Sequence, residues 1–111
     1  MKFGGTSVQN AEAIRRVIGI VCGRMAEKPL VVVSALSKVT RQLCGIAEAA
    51  QGRREDEFRE LLSALRKRHC DLAAELLPEG SALLQDCLER IGQLCDELED
   101  FVYGVFRIAE L

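Results

Sequence analysis

Only two stretches of this 111-residue chain have the character of β-strands, and a single helix separates them. Met1–Phe3 is a short start of a strand, and Leu30–Val33 is a continuous, largely β-branched run of the kind found in strands covered on both faces. The helix between them is predicted to begin at Ser7 or Asn10 and to run to about residue 27, where Lys28-Pro29 ends it. This order predicts a right-handed β-α-β unit with parallel strands.

The remainder of the chain is predicted to be helical. One helix runs to about Ala50, and Gln51-Gly52-Arg53-Arg54 is the clearest break. Two strongly amphipathic helices then lie on either side of Pro78-Glu79-Gly80, and Ser81 caps the second. A short connection between long helices predicts an antiparallel hairpin. The segment 101–111 either continues the second helix or begins another one.

Composition narrows the class of protein. The chain carries 15 basic and 17 acidic residues, a net charge of −2, so no long-range field favours nucleic acid or a membrane surface as a partner. The five cysteines are odd in number and lack C-x-x-C spacing, which predicts buried free thiols in a reducing, cytoplasmic compartment. No signal peptide is expected at the start. We expect one domain at most, with a phosphate and substrate end in residues 1–52 and a helical segment in residues 53–111.

Polar residues follow both predicted strands. Lys2 precedes the run Gly4-Gly5-Thr6-Ser7, and Ser34–Thr40 follows the second strand. Glycines allow close backbone approach and positive φ, a helix N-terminus attracts anions, and lysine adds a mobile charge. The carboxyl ends of parallel strands meet at one edge of a sheet, so both clusters are expected there. The pattern is not a Walker A loop, and a tight strand-to-helix turn with a solvated lysine stays open as an alternative.

These two blocks resemble those of a known family. Lys2–Val8 is similar to the signature at the start of aspartate kinases, in the amino acid kinase superfamily. Val33-Ser34-Ala35, with Thr40 five residues later, resembles the next block of that family, and the helical tail resembles its variable helical segment. The resemblance covers the whole chain, with its specific motifs in residues 2–40. It implies an α/β fold, an incomplete three-layer αβα amino acid kinase-like sandwich dominated by helices.

The resemblance also implies a reaction and site residues. Aspartate kinases transfer the γ-phosphoryl group of ATP, presented with Mg²⁺, to the β-carboxylate of L-aspartate, on the way to lysine, threonine and methionine. Lys2 would neutralise charge on the transferring group, while Ser34 and Thr40 would help to hold aspartate. The phosphates would be bound by backbone amides and hydroxyls of Gly4, Gly5, Thr6 and Ser7. No tightly bound cofactor and no protein-bound metal are expected.

The chain stops before the family's Ser-x-Gly-Glu block. We therefore expect an N-terminal fragment that is inactive alone and leaves apolar faces exposed. It is expected to form homo-oligomers, through the edge of Leu30–Val33 or through the helical hairpin. Lys38 stands where many relatives have a small or neutral residue. The alternative is a helical protein-interaction module, residues 53–111, behind a degenerate nucleotide-binding turn.

Other charged residues receive simpler interpretations. His69 is expected on a solvated helix face, because no metal or nucleophile constellation surrounds it. Acidic neighbours of Arg53-Arg54 and Arg66-Lys67-Arg68 predict paired surface charges. Glu97 and the pair Glu99-Asp100 are expected to splay around a helix axis rather than to form a metal site.

Overall fold

A computed structural model describes residues 1–109, which fall into two compact units. The first is Met1–Thr40 and the second begins at Arg41. Helices dominate, in agreement with the predicted class. The end of the predicted segment 101–111 lies outside the described residues. The elements in chain order are β1 (Lys2–Phe3), α1 (Ala11–Cys22), β2 (Val32–Val33), α2 (Val39–Gln51), α3 (Glu55–Leu76) and α4 (Ala82–Ala109), with 3₁₀ turns at Gly5–Val8 and Met25–Glu27.

The two strands pair in parallel, as predicted. Lys2 lies opposite Val32 and Phe3 lies opposite Val33. The Val32 amide donates to the Met1 carbonyl at 2.7 Å, and the Ser34 amide donates to the Phe3 carbonyl at 3.0 Å. The strand–helix–strand order of the sequence therefore produces a parallel pair whose carboxyl ends lie side by side.

Helix α1 is shorter than predicted. Asn10 is its N-cap, with Oδ1 accepting from the Ala13 amide at 2.9 Å, so the second of the two expected caps is the one used. The helix ends at Cys22 with Gly23 as C-cap, and a separate 3₁₀ turn takes the place of the expected last turn of helix. Glycine is a poor helix residue, and a residue before proline avoids the helical region. Lys28, which precedes Pro29, adopts φ 50°.

The expectation that the second strand is covered on both faces is wrong for the described residues. Leu30 is 79% exposed, and Val32 and Val33 are 50% and 55% exposed. A sheet of two strands has one neighbour for each strand and no second layer to bury their side chains. The expectation that apolar faces stay exposed in so short a chain is confirmed at this strand.

The second unit contains the predicted antiparallel hairpin of α3 and α4. Two contacts join these helices: Arg66 pairs with Asp96 at 2.7 Å near the middle of both, and the Phe58 ring meets the Tyr103 ring edge to face at 5.2 Å near the open end of the hairpin. Ser81 caps α4, because its Oγ accepts from the Leu84 amide, and the helix continues through the start of segment 101–111 to Ala109. The buried apolar side chains of this unit are Ile46, Ala49, Ala50, Phe58, Leu65, Ala73 and Val102.

The predicted break between α2 and α3 is confirmed, and an arginine joins it to the end of the hairpin. Arg53 adopts φ 62° between the two helices. Its Nη1 donates to the Phe106 carbonyl at 2.6 Å, and its guanidinium carbon lies 3.9 Å from the centre of the Phe106 ring. This cation–π contact joins residues that are 53 positions apart in sequence. The prediction that Arg53-Arg54 form paired surface charges did not include it.

The cysteines are free thiols, but the expectation that they are buried is wrong. Cys22 and Cys44 are exposed, and the other three are half-buried. The spacing of the cysteines puts them next to the apolar residues of each helix. The buried face of each helix is narrow, however, and the cysteines lie at its margin or outside it. Within residues 1–109, no helix is both long and apolar enough to cross a membrane.

Candidate functional site

The two polar clusters meet at the carboxyl edge of the parallel strands. A Cβ placed on Gly5 would lie 3.3 Å from the Ser37 Cα and 3.7 Å from the Ala35 carbonyl oxygen. The backbone after β1 therefore lies against the backbone after β2. Residues that the sequence placed in two separate blocks are close neighbours, because parallel strands deliver both loops to one edge.

The glycine loop reaches this position without the positive φ that the sequence suggested. Gly4 has φ −80° and ψ 180°, and a Cβ on Gly4 would meet nothing within 4 Å. Across residues 1–109 the only glycine with positive φ is Gly80. Close approach at Gly5, rather than an unusual conformation, is the reason for glycine here. The left-handed residue of the site is Lys38, with φ 69°, in the opposite loop.

The start of α1 is set back from the glycine loop. A 3₁₀ turn, Gly5–Val8, follows the loop first, and α1 begins at Ala11 with its Ala13 amide already bonded to Asn10. The prediction that this helix points its free amides directly at an anion therefore has to be corrected. The 3₁₀ turn itself has no side-chain cap, and its Ser7 amide donates to the Gly4 carbonyl at 3.0 Å.

The side chains proposed from the sequence are open to solvent. Lys2, Thr6 and Ser7 are exposed, and within residues 1–109 the Lys2 ammonium forms no ion pair. The Ser34 hydroxyl donates to the Ala35 carbonyl at 2.8 Å. Thr40 is an exposed residue of the first turn of α2.

The structure thus brings Gly5 together with the segment around Ser37, and it places Ser34 directly after β2. No hydrogen bond among the described residues joins Thr40 to the glycine loop. The roles of all seven residues named from the resemblance stay predictions. The sequence analysis did not single out Ser37, although this residue lies in the polar segment Ser34–Thr40 that follows the second strand. Two polar residues immediately before a helix are the sequence signal that could have indicated a turn here.

The other charged clusters pair locally. The Lys67 ammonium lies 2.7 Å from Asp71, and Arg54 pairs with Glu57, which confirms the expected surface pairing at these positions. The His69 Nδ1, as a donor, bonds the Leu65 carbonyl at 2.8 Å, and the ring is half-buried rather than fully solvated. Within the described part of the chain no three His, Cys, Asp or Glu side chains are placed to hold a metal ion.

A cleft lies between α3 and α4 in the second unit. It has a volume of about 180 Å³, and Arg59, Arg66, Cys95 and Glu99 are among its lining residues. Burial raises the pKa of the Cys95 thiol, with the nearby Arg66 guanidinium acting against this. The hydrogen bond that the Arg66 guanidinium donates to the Asp96 carboxylate raises the pKa of Arg66. A neutral thiol and a paired arginine do not form a nucleophilic centre.

No protein-family model matches the chain. Curated proteins do match it. The chain is 44% identical over 78 residues to the bifunctional aspartokinase/homoserine dehydrogenase, chloroplastic, of Daucus carota, which covers 70% of this chain and 8% of that protein. It is 41% identical over 105 residues to bifunctional aspartokinase/homoserine dehydrogenase 1, chloroplastic, of Arabidopsis thaliana, covering 95% and 11%.

Aspartokinase 2, chloroplastic, of Arabidopsis thaliana is 35% identical over 96 residues, covering 85% of this chain and 18% of that protein. The chain thus spans 8% to 18% of the length of these three relatives. The chloroplastic names differ from the cytoplasmic compartment expected from the sequence, and the compartment of this chain stays a prediction. Matched over most of its residues to enzymes of this name, the chain is an aspartokinase homologue and belongs by sequence to that family.

Proposed function

We propose that the chain is the N-terminal part of the kinase domain of an aspartokinase, within a three-layer αβα amino acid kinase fold. The complete domain would transfer the γ-phosphoryl group of ATP, bound with Mg²⁺, to the β-carboxylate of L-aspartate. The product, 4-phospho-aspartate, would enter the synthesis of lysine, threonine and methionine. The proposal rests on homology to proteins named aspartokinases and on the arrangement of the two loops.

The observation that carries the proposal is the contact of the two polar loops at the carboxyl edge of β1 and β2. Gly5 lies against the backbone of Ser37, so a ligand bound by one loop is within reach of the other. Ligands of open parallel sheets collect at this edge. Transfer between two substrates needs a phosphate donor and an acceptor held next to each other, and two adjoining loops suit that requirement.

On the phosphate side, the roles follow from charge and hydrogen bonding. Phosphoryl transfer depends mainly on positioning and on neutralising the oxygens of the transferring group. The Lys2 ammonium is exposed and has no ion-pair partner among residues 1–109, so it would be available to the γ-phosphate. Backbone amides of Gly4 and Gly5, with the hydroxyls of Thr6 and Ser7, would bond the phosphate oxygens.

On the acceptor side, two hydroxyls would hold L-aspartate. The Ser34 hydroxyl already donates its proton to the Ala35 carbonyl, so its oxygen is left to accept a hydrogen bond. The ammonium group of L-aspartate is a suitable donor to it. The exposed Thr40 hydroxyl would donate to a carboxylate of the same substrate.

The chain alone would be inactive. Its sheet contains two strands, and a two-stranded sheet without a packed second layer is marginal. The apolar residues of Leu30–Val33 would need the remainder of a kinase domain to cover them. A match to a bifunctional aspartokinase/homoserine dehydrogenase that extends over 95% of the chain favours this function over a separate helical interaction module.

A chimera tests the proposal. Residues 1–111 replace the matching segment of the Arabidopsis thaliana aspartokinase 2 relative, and aspartate-dependent release of ADP is measured. We expect activity with the unchanged segment. Lys2→Ala should lower kcat at least ~100-fold, the scale seen when one charge-stabilising contact of a transition state is removed.

Lys67→Ala is the matched control. It removes an exposed lysine from α3 whose surface ion pair with Asp71 contributes little to stability, so kcat should not change. A folded chimera without any aspartate-dependent activity would overturn the proposed function. Equal activity of Lys2→Ala and Lys67→Ala would refute the role of Lys2 alone.

A further inference from the structure

Lys38 occupies a position in the turn after β2 that favours glycine. The Val39 amide donates to the Leu36 carbonyl at 3.1 Å and closes a β-turn whose third residue is Lys38. Lys38 has φ 69°, whereas Ser37 before it does not have a positive φ, and this combination is that of a type II turn. Glycine or asparagine is the usual residue there, because a Cβ is strained at positive φ. The turn alone therefore does not explain a lysine.

The other non-glycine residues of positive φ within residues 1–109 have structural explanations, which Lys38 lacks. Lys28 ends the 3₁₀ turn Met25–Glu27 in the left-handed conformation common at helix ends, and Arg53 contacts the Phe106 ring. The Lys38 side chain is exposed and forms no ion pair among residues 1–109. Residues held in unfavourable backbone conformations cluster at functional sites. A function of its side chain would explain why a lysine stands here.

Lys38 lies next to the point at which the two polar loops meet. The Ser37 Cα is 3.3 Å from the place of a Cβ on Gly5, and adjacent Cα atoms are about 3.8 Å apart, so the Lys38 Cα is within about 7 Å of that place. The flexible four-carbon stem of a lysine carries its ammonium group over most of such a distance. A ligand held by the backbone amides of Gly4 and Gly5 is therefore within reach of Lys38.

The charges of the first unit favour an anionic ligand, although the whole chain is slightly acidic. Residues 1–40 contain six lysine and arginine residues and two glutamates, whereas residues 41–111 contain nine basic and fifteen acidic residues. An excess of one charge raises the local concentration of ions of the opposite sign. The net charge of −2 thus conceals a basic unit that carries both polar loops.

We infer that Lys38 is a second phosphate-binding residue of the candidate site, whose ammonium group contacts the phosphates of a polyphosphate ligand together with that of Lys2. The inference deepens the proposed function and rests on it for the identity of the ligand, ATP with Mg²⁺. Lysine binds phosphate as a point charge. L-aspartate is a poorer partner for Lys38, because its own ammonium group repels a lysine, whereas the phosphates carry several negative charges and no positive one.

Titration of the isotope-labelled 111-residue chain with inorganic tripolyphosphate, followed by nuclear magnetic resonance at about 0.1 M salt, tests the inference without any need for catalysis. We expect saturable shifts of the Gly4, Gly5 and Ser37 amides, with a Kd below about 1 mM. Lys38→Met keeps the length of the side chain and removes its charge. It should raise the Kd at least ~5-fold, the upper range for one exposed charge pair. Unshifted amides, or a Kd changed by less than ~2-fold, would overturn the inference.

Lys28→Met is the matched control. Lys28 is also an exposed lysine of positive φ, 50°, in the same unit, but it precedes β2 and so lies at the amino end of that strand. The variant makes the same change in net charge and should leave the Kd within about 2-fold. Equal weakening by the Lys28 and Lys38 variants would show that only the overall charge of the unit matters, and it would contradict the assignment of Lys38.

Lys38→Gly separates the effect of the ammonium group from that of the backbone. Glycine suits a residue of positive φ, so this variant should keep the turn and leave hydrogen exchange of the Val39 amide, which closes it, within about 2-fold. Its Kd for tripolyphosphate should nevertheless rise as much as that of Lys38→Met. Full affinity in Lys38→Gly would refute the inference, because the ammonium group would then be dispensable.

The chimera with the Arabidopsis thaliana aspartokinase 2 relative identifies the substrate that Lys38 contacts. Lys38→Met in that chimera should raise the KM for ATP at least ~5-fold and leave the KM for L-aspartate within about 2-fold. A rise in the KM for L-aspartate alone would place Lys38 on the acceptor and overturn its assignment to the phosphates. A folded but inactive chimera, with tripolyphosphate still bound through Lys38 in the chain, would overturn the proposed function while supporting phosphate binding by Lys38.

Discussion

Gly5 is the residue at which the two loops of the candidate site press together. Its neighbour Gly4 has the same chemistry but no atom close to the place of a Cβ. The sequence made the two glycines equivalent, because a pair of adjacent glycines does not indicate which one lies against another chain segment. The two glycines differ because the Ser37 backbone, 32 residues later in the chain, packs against Gly5 and not against Gly4. The residues next to the glycines in sequence do not indicate this contact.

Gly5→Ala should therefore destabilise the first unit more than Gly4→Ala. The added methyl group at Gly5 would lie 3.3 Å from the Ser37 Cα, and overpacking of this kind costs about 1–3 kcal/mol. The measurement is hydrogen exchange of the Ser34 amide, which bonds Phe3 across the strands and should exchange at least ~5-fold faster in Gly5→Ala. Gly4→Ala should change the rate by less than about 2-fold, and the reverse order would contradict the loop contact.

The thiols differ in reactivity according to their surroundings. Cys22 and Cys44 are exposed, whereas burial raises the pKa of Cys95 and so lowers its thiolate fraction at a given pH. Alkylation by iodoacetamide at about pH 8, followed by mass spectrometry, should modify the two exposed cysteines at least ~10-fold faster than Cys95. Uniform rates in the folded chain would contradict the half-buried position of Cys95.

At the scale of elements, long periodic helices were the most predictable part. The three-and-four spacing over α3 and α4 indicated their existence, their hairpin and the Ser81 cap, since many residues report the same period. The end of α1 was mispredicted, because apolar spacing continues past Gly23 to Met25 although the helix does not. The 3₁₀ turn before α1 was also missed, since four residues carry no measurable period.

Phe58 is the central side chain of the hairpin. It is fully buried and meets the rings of Tyr103 and Phe106 edge to face, at 5.2 Å and 5.5 Å. Phe58→Ala should lower the free energy of unfolding of the second unit by about 3–5 kcal/mol. The measurement is urea denaturation of the chain, followed through the loss of helix content. Leu83→Ala, at a side chain 62% exposed, should change this free energy by less than about 0.5 kcal/mol. A loss below about 1 kcal/mol at Phe58 would contradict the aromatic packing described here.

At the scale of the whole molecule, the two compact units differ in how much they bury. The first unit relies on two-residue strands and on small or medium apolar side chains, Val8, Ala11, Ala13, Val17 and Val39. The second contains the two largest fully buried side chains, Phe58 and Ile46. The sequence predicted a parallel β-α-β unit correctly. The β-branched run alone indicated a strand covered on both faces, and only the shortness of the chain pointed to exposed apolar faces, because burial depends on which other layers are present.

Hydrogen exchange should separate the two units. Amides of β1 and β2 should exchange at least ~10-fold faster than amides at the centres of α3 and α4, because a two-stranded sheet is marginal and opens locally. Mass spectrometry of peptic peptides at neutral pH gives the comparison. Equal protection along residues 1–109 would show that the chain opens as one cooperative whole.

The Arg53 contact gives the tail of the chain an influence on its middle. The Arg53 guanidinium stacks on the Phe106 ring and donates a hydrogen bond to the Phe106 backbone carbonyl. The connection between α2 and α3 is therefore held against the last turns of α4. Removal of the C-terminal residues through Phe106 by a carboxypeptidase would abolish both contacts of Arg53. The connection between α2 and α3, more than fifty positions upstream, would then lose this support.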